Sequence, residues 1–178
     1  MIYSLTIVFI TLLIINLPKF LEDRHKVIKN QDIYLDEIRH ILKGVTQYEE
    51  NKDFKKCINL HKMALDIYKK KLPNEHSAIV KTMNNLAGAY LDDNQKELAI
   101  VIYKKAYEFA VAHEVTDEHF AVLLNNIGHC YKKLNRNKES LKWLEKSLPY
   151  YEHIYGLGDK KTKILKHNIK FLKEHTLK

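Results

Sequence analysis

A motif that returns after a fixed interval constrains this chain more than any other feature. Asn84-Asn85-Leu86-Ala87-Gly88-Ala89-Tyr90 is answered by Asn125-Asn126-Ile127-Gly128-His129-Cys130-Tyr131. Tyr90 and Tyr131 stand 41 residues apart, as do Ala99 and Ser140, and Ala106 and Ser147. Self-similarity at a step of roughly 20 to 50 residues marks a stacked repeat array, in which each unit shares a core with its neighbours. A degenerate copy comes first: Tyr48, Cys57 and Ala64 each lie 42 residues before Tyr90, Ala99 and Ala106. A last echo, His167-Asn168-Ile169, follows Asn125-Asn126-Ile127 by 42 residues.

Within each copy the apolar residues recur at three- and four-residue steps, the period of a helix with one buried face. With only 5 glycines and 3 prolines in 178 residues, little of the chain is left for turns. The pattern predicts helices over 33–50, 54–71, 75–92, 95–113, 117–134, 137–155 and 160–174. Asn30-Gln31-Asp32, Asp53 and Asp117 supply N-cap residues, and Gly156-Leu157-Gly158-Asp159 breaks the chain before the last helix. Small residues at Ala99, Ala106, Ser140 and Ser147 let paired helices approach closely, where a large side chain would push the axes apart. The final helix has no partner after it, and Lys161, Lys163, Lys166, Lys170 and Lys173 give it a polar face, as a capping helix needs.

These residues resemble the tetratricopeptide repeat (TPR), with its aromatic in the first helix and small residues at two places in the second. The closer likeness is to the longer repeat of kinesin light chains and their relatives. Met83-Asn84-Asn85-Leu86-Ala87 and Leu124-Asn125-Asn126-Ile127-Gly128 match the start of that repeat's first helix. Leu72-Pro73-Asn74-Glu75-His76 and Tyr155-Gly156-Leu157-Gly158-Asp159 match its inter-repeat linker. The first copy departs from the pattern at Gly44-Val45, and the last helix departs in being basic. The resemblance implies an all-α fold, a right-handed superhelix or α-solenoid of about three helix pairs plus a C-terminal capping helix. The domain would cover 33–175, with repeats at about 38–79, 80–120 and 121–161 and the cap at 160–174.

The resemblance also implies a concave face lined by the first helices, with the sixth residue of each directed into it: Lys43, Asn85, Asn126 and Asn168. Their neighbours would be Arg39, Thr46, Lys81, Asn84, Asn125, His129 and Lys132. An asparagine both donates and accepts, so a column of them can grip the backbone of an extended peptide. The same asparagines could instead tie adjacent helices together. Arg39, Lys43 and Lys81 beside the column point to a protein or peptide partner with acidic character. This makes the chain a non-catalytic scaffold. The other reading is a structural or assembly module, or the C-terminal part of a larger protein such as a SET-domain methyltransferase.

Lys and Arg number 30 against 22 Asp and Glu, a formal net charge of +8. The basic residues are scattered around helices rather than gathered, so the charge is not a nucleic-acid footprint. Cys57 and Cys130 fall at core positions and read as small hydrophobes, not as a disulfide framework. His129 and Cys130 are adjacent and point about 100° apart on a helix, a poor metal pair. No phosphate-binding glycine motif or nucleophile elbow occurs, so neither enzyme activity nor a cofactor is expected.

Met1 to Leu17 is almost wholly apolar and uncharged along its side chains. As a helix it would span roughly 25 Å, slightly less than a bilayer core of about 30 Å. It reads as a membrane anchor, as an export signal, or as a helix that packs on its own protein or begins a fragment. An anchor would leave the basic flank Lys19, Arg24, Lys26 and Lys29, and with it the repeats, in the cytoplasm. Without an anchor the reading is a cytoplasmic soluble chain. Pro18 is expected to end the run, and 18–32 to form a linker or short helix.

Overall fold

The computed structural model describes the backbone of residues 2–176 and the side chains of residues 17–175. Its elements are all α-helices: α1 Ile2–Glu50, α2 Phe54–Lys71, α3 His76–Asp92, α4 Lys96–Ala112, α5 Glu118–Lys133, α6 Asn137–Tyr155 and α7 Lys160–Thr176. Two compact units divide the chain, Met1–Arg39 and His40–Lys178.

From Ile2 onward the first unit lies within α1, and it corrects one expectation. The helix continues through Pro18 and through Asn30-Gln31-Asp32, so 18–32 is neither a linker nor a separate helix. A proline removes one N–H donor and crowds one turn; it does not forbid helix on both sides. The residues that follow are good helix formers, and Glu22 pairs with Lys26 one turn on at 2.8 Å. Cap-type residues likewise stop a helix only where the chain turns away. The run Met1–Leu17, the candidate anchor, lies outside the described side chains apart from Leu17. Among the described residues no helix is long and apolar enough to cross a membrane.

The second unit holds the repeats. Each of α2, α4 and α6 turns back from the first helix before it, through the same tight connection. The amides of Asp53, Gln95 and Arg136 donate to the carbonyls of Tyr48, Tyr90 and Tyr131 at 2.8, 2.8 and 2.9 Å. The residue before each donor, Lys52, Asn94 or Asn135, has φ of 55°, 60° and 58°. This left-handed stop satisfies the last carbonyls of the first helix, and asparagine enters it more readily than most residues. Asp53 and Asp117 cap α2 and α5 with their side chains, as their sequence positions suggest.

Cys57, Ala64, Ala99, Ala106, Ser140 and Ser147 are all 0% exposed. They are the small positions of α2, α4 and α6, and their burial lets each second helix settle between first helices. One core cluster joins Val45 to Cys57 and Ile58 and to Leu86 and Ala89. Another joins Ala121 and Leu144 to Leu165, Ile169 and Leu172 of α7. The capping helix is therefore part of the shared core. Three of its lysines are paired rather than free: Lys161 with Glu118 at 3.5 Å, Lys166 with Glu152 at 2.7 Å, and Lys173 with Glu145 at 2.7 Å. Exposed pairs of this kind contribute little individually, but they consume much of the basic character that marks α7 in the sequence.

The tightest approach is at Gly128. A Cβ there would lie 2.5 Å from Leu144 Cδ2 and 3.3 Å from the Leu144 backbone nitrogen. Leu144 is fully buried and cannot swing aside. At Gly88, by contrast, a Cβ would sit 3.7 Å from the Tyr103 hydroxyl, an ordinary contact. Helix propensity favours alanine at both sites by about 1 kcal/mol, whereas overpacking costs roughly 1–3 kcal/mol. Gly128→Ala is expected to destabilise by about 1–2 kcal/mol and Gly88→Ala to be neutral or slightly stabilising. Urea denaturation midpoints check this, and equal stability of Gly128→Ala and wild type would show that the approach is not tight.

Candidate functional site

The candidate face is built on α3 and α5, which pack directly against each other, with α7 following α6 at the end. The asparagine doublets meet diagonally. Asn126 Nδ2 donates to Asn84 Oδ1 at 3.0 Å, and Asn84 Nδ2 donates to Asn85 Oδ1 at 3.3 Å. Thus the second asparagine of one repeat bonds the first asparagine of the repeat before it. Asn84 is 8% exposed and Asn85 is open to solvent. Both readings of these residues have a physical basis here. Asn84 and Asn126 tie adjacent first helices, while Asn85 leaves its amide nitrogen facing outward.

Two pockets follow from this arrangement. One, of about 210 Å³, is lined by Asn84, Asn85 and Asn126 together with Glu49, Asp92, Tyr103, Gly88 and Ala89. The other, of about 200 Å³, brings Asn125, His129 and Asn168 together beside Tyr151 and Lys161. Asn125 and Asn168 repeat the Asn84–Asn126 relation one unit on, so the column predicted as Asn85, Asn126 and Asn168 is divided between two pockets. At the other end the register places Leu42 where Asn84 and Asn125 stand, and the polar diagonal stops.

Two of the cationic neighbours lie apart from the asparagine pockets. Lys43 and Lys81 are exposed and line neither pocket. Arg39 belongs to the first unit, where it pairs with Asp36 one turn away. Lys132 lies over the Phe171 ring, 5.5 Å from its centroid. Sequence reasoning missed Glu49, Asp92 and Tyr103. The available signal was that α1 and α3 carry no basic residue in their last turns, whereas α5 carries Lys132 and Lys133.

Neither cysteine is an activated thiol. Burial, with Glu49 next, pushes the Cys57 thiol up, and burial pushes the Cys130 thiol up to about 11. Both remain protonated near neutral pH and act as core atoms. Among the described residues no group of three or more His, Cys, Asp or Glu side chains could hold a metal ion.

Tetratricopeptide-repeat family models match residues 45–110 and 121–152, together more than half of the chain. The chain belongs to the tetratricopeptide repeat family. Solved structures agree on the fold. BtubC (BKLC) from P. vanneervenii superposes with a TM-score of 0.75 at 15% identity, covering 87% of this chain and 61% of that one. The nearly identical TPR-like repeats of a candidate kinesin light chain from Podosopora anserina give 0.67 at 14% identity, covering 76% and 65%. The TPR2AB domain of yeast Sti1, in complex with pHSP90, gives 0.62 at 20% identity, covering 79% and 49%. The TPR chain thus spans less than two thirds of each of these proteins. A search of curated proteins finds no match. The fold is an all-α superhelical repeat of the kinesin-light-chain-like kind.

Two histidines within this TPR unit are held neutral. Burial lowers the pKa of His61, which occupies the register position of Tyr103 and Leu144; its Nδ1 is buried without a partner. Burial, then Lys132 and Lys133, lower that of His129. A histidine depressed in the folded state binds its proton more readily when unfolded. Its contribution is therefore complete above its ordinary value of about 6.5 and is lost as pH falls through the folded value. The melting temperature is expected to drop between about pH 7 and pH 5, a range above most carboxylate titration. His61→Leu, which copies Leu144, should flatten that slope. An unchanged slope in the variant would show that His61 is not the group responsible.

Proposed function

We propose that this TPR chain is a non-catalytic scaffold whose α3–α5–α7 face binds an extended peptide of a partner protein. The observation that carries the reading is the asparagine arrangement. Asn84 spends its hydrogen bonds inside the protein, while Asn85 and Asn126 keep an outward donor and acceptor beside an open pocket. Such pairs suit main-chain amides, which every peptide offers, and leave side-chain choice to the surrounding residues. The second pocket, with Asn125, His129 and Asn168, extends the same polar strip. That a TPR domain of Sti1 is found in complex with pHSP90 supports the class of activity but not its partner.

The expected acidic character of the partner rests on Arg39, Lys43 and Lys81, of which Lys43 and Lys81 line neither pocket. The first pocket carries carboxylates instead. The reading is therefore a peptide groove without a general preference for acid. Membrane tethering through residues 1–17 forms a separate part of the proposal and rests on their composition.

Displayed random peptides selected on the full chain test the groove. Asn85→Ala combined with Asn126→Ala should weaken the selected peptides at least tenfold while the melting curve remains cooperative. Peptides that bind the folded double variant as tightly as wild type would contradict the proposal.

A further inference from the structure

The first pocket has an electrostatic character that neither the overall charge nor the groove reading explains. Glu49 lies in the last turn of α1 and Asp92 closes α3. A helix C-terminus carries negative partial charge, and basic residues are the favourable occupants of its last turn. Here two such ends present carboxylates, both exposed, and neither has an ion-pair partner among the described residues. Asp53, which opens the helix after Glu49, is by contrast paired with Lys56 at 3.0 Å. Glu49 and Asp92 line the same pocket, which puts the two carboxylates beside one space.

Tyr103 supplies an independent observation. It is 2% exposed, and its hydroxyl has no hydrogen-bond partner among the described residues, yet it lines the pocket next to Gly88. The hydroxyl is not sealed in: among the described residues the enclosed unpartnered side-chain atoms are His61 Nδ1 and Ser140 Oγ, so the Tyr103 O–H reaches the pocket and is available to a group that enters it. Burial, followed by Cys130 and Asp92, holds it well above its ordinary pKa, so it stays a neutral O–H with free lone pairs. Gly88 keeps the approach open, since no side chain stands between the hydroxyl and the pocket.

We infer that this pocket receives a primary ammonium group carried by the bound partner. The proposal rests on the reading of the face as a peptide groove. An ammonium has three donors and no acceptor. Asp92, Glu49, the Tyr103 hydroxyl and the Asn126 carbonyl oxygen are acceptors of residues that line the pocket. The charge offsets two helix ends and two unpaired carboxylates together. A pocket of about 210 Å³ accommodates the end of a lysine side chain dropped from a peptide held along Asn85 and Asn126.

Amide-resolved NMR titration of the full chain at low ionic strength tests this directly. The probes are Nα-acetyl-lysine methylamide, its uncharged norleucine analogue, and glycine methylamide, whose free amine mimics a chain terminus. The lysine probe should shift the signals of Asn85, Gly88 and Asn126 and bind at least tenfold more tightly than the norleucine probe. Tighter binding of the glycine probe would keep the ammonium and assign it to a partner's N-terminus. Glu49→Gln with Asp92→Asn should abolish the charged-probe shifts. Tyr103→Phe should weaken them severalfold without lowering the melting temperature, because the hydroxyl it removes makes no hydrogen bond to the described residues. Equal shifts from the charged and uncharged probes, no shifts at these amides, or shifts unchanged in the carboxylate variant would overturn the inference. Selected groove peptides separate the two readings. If they are lost in the Asn85/Asn126 variant but retained in the carboxylate variant, the groove stands and the ammonium site falls.

Discussion

Six side chains with no exposed surface set the spacing on which this molecule depends. Cys57, Ala64, Ala99, Ala106, Ser140 and Ser147 sit at two register positions of the second helices. A large side chain at any of them would force axes apart in a core packed as densely as an organic crystal. Because the same two positions recur, the same separation recurs, and the first helices arrive in register along one face. The turns reinforce this. Each stops its helix on the repeat tyrosine's carbonyl and restarts the chain after one left-handed residue.

Register along the face is what brings Asn126 to Asn84 across two repeats. A shift of one residue would rotate one asparagine away by about 100°. The bond is therefore a consequence of spacing set on the other side of the unit. It also decides which polar atoms are free. Asn84 is consumed internally, Asn85 and Asn126 retain outward capacity, and the pocket beside them inherits the carboxylates that close α1 and α3. Local charge here opposes the global one. A chain of net +8 presents at this pocket two acids that have no ion-pair partner among the described residues, while Lys161, Lys166 and Lys173 are spent on pairs with α5 and α6.

Much of this was legible in the sequence, and for physical reasons. The small positions, the repeat tyrosines and the caps Asp53 and Asp117 act locally, so spacing alone exposes them; from α2 onward, helix ends differ from expectation by two residues at most. What was not legible depended on three dimensions. Pro18 breaks a pattern on paper but only one hydrogen bond in a helix, and α1 runs through it. The asparagine column reads as a vertical line, whereas the contact is diagonal, because neighbouring first helices are offset by one residue at that point. Tyr103 reads as core, and its burial is indeed nearly complete, but only the structure shows that its hydroxyl opens beside Asp92 and Gly88.

The coupling between spacing and the polar face can be measured at one bond. A double-mutant cycle on stability, with Asn84→Ala, Asn126→Ala and both together, isolates the interaction between the two side chains. If small-residue spacing holds the repeats in the register described, the pair is coupled by about 0.5–1.5 kcal/mol, the usual net worth of such a hydrogen bond. Strictly additive effects would mean that Asn126 does not reach Asn84 and that the first helices are not aligned as the account requires.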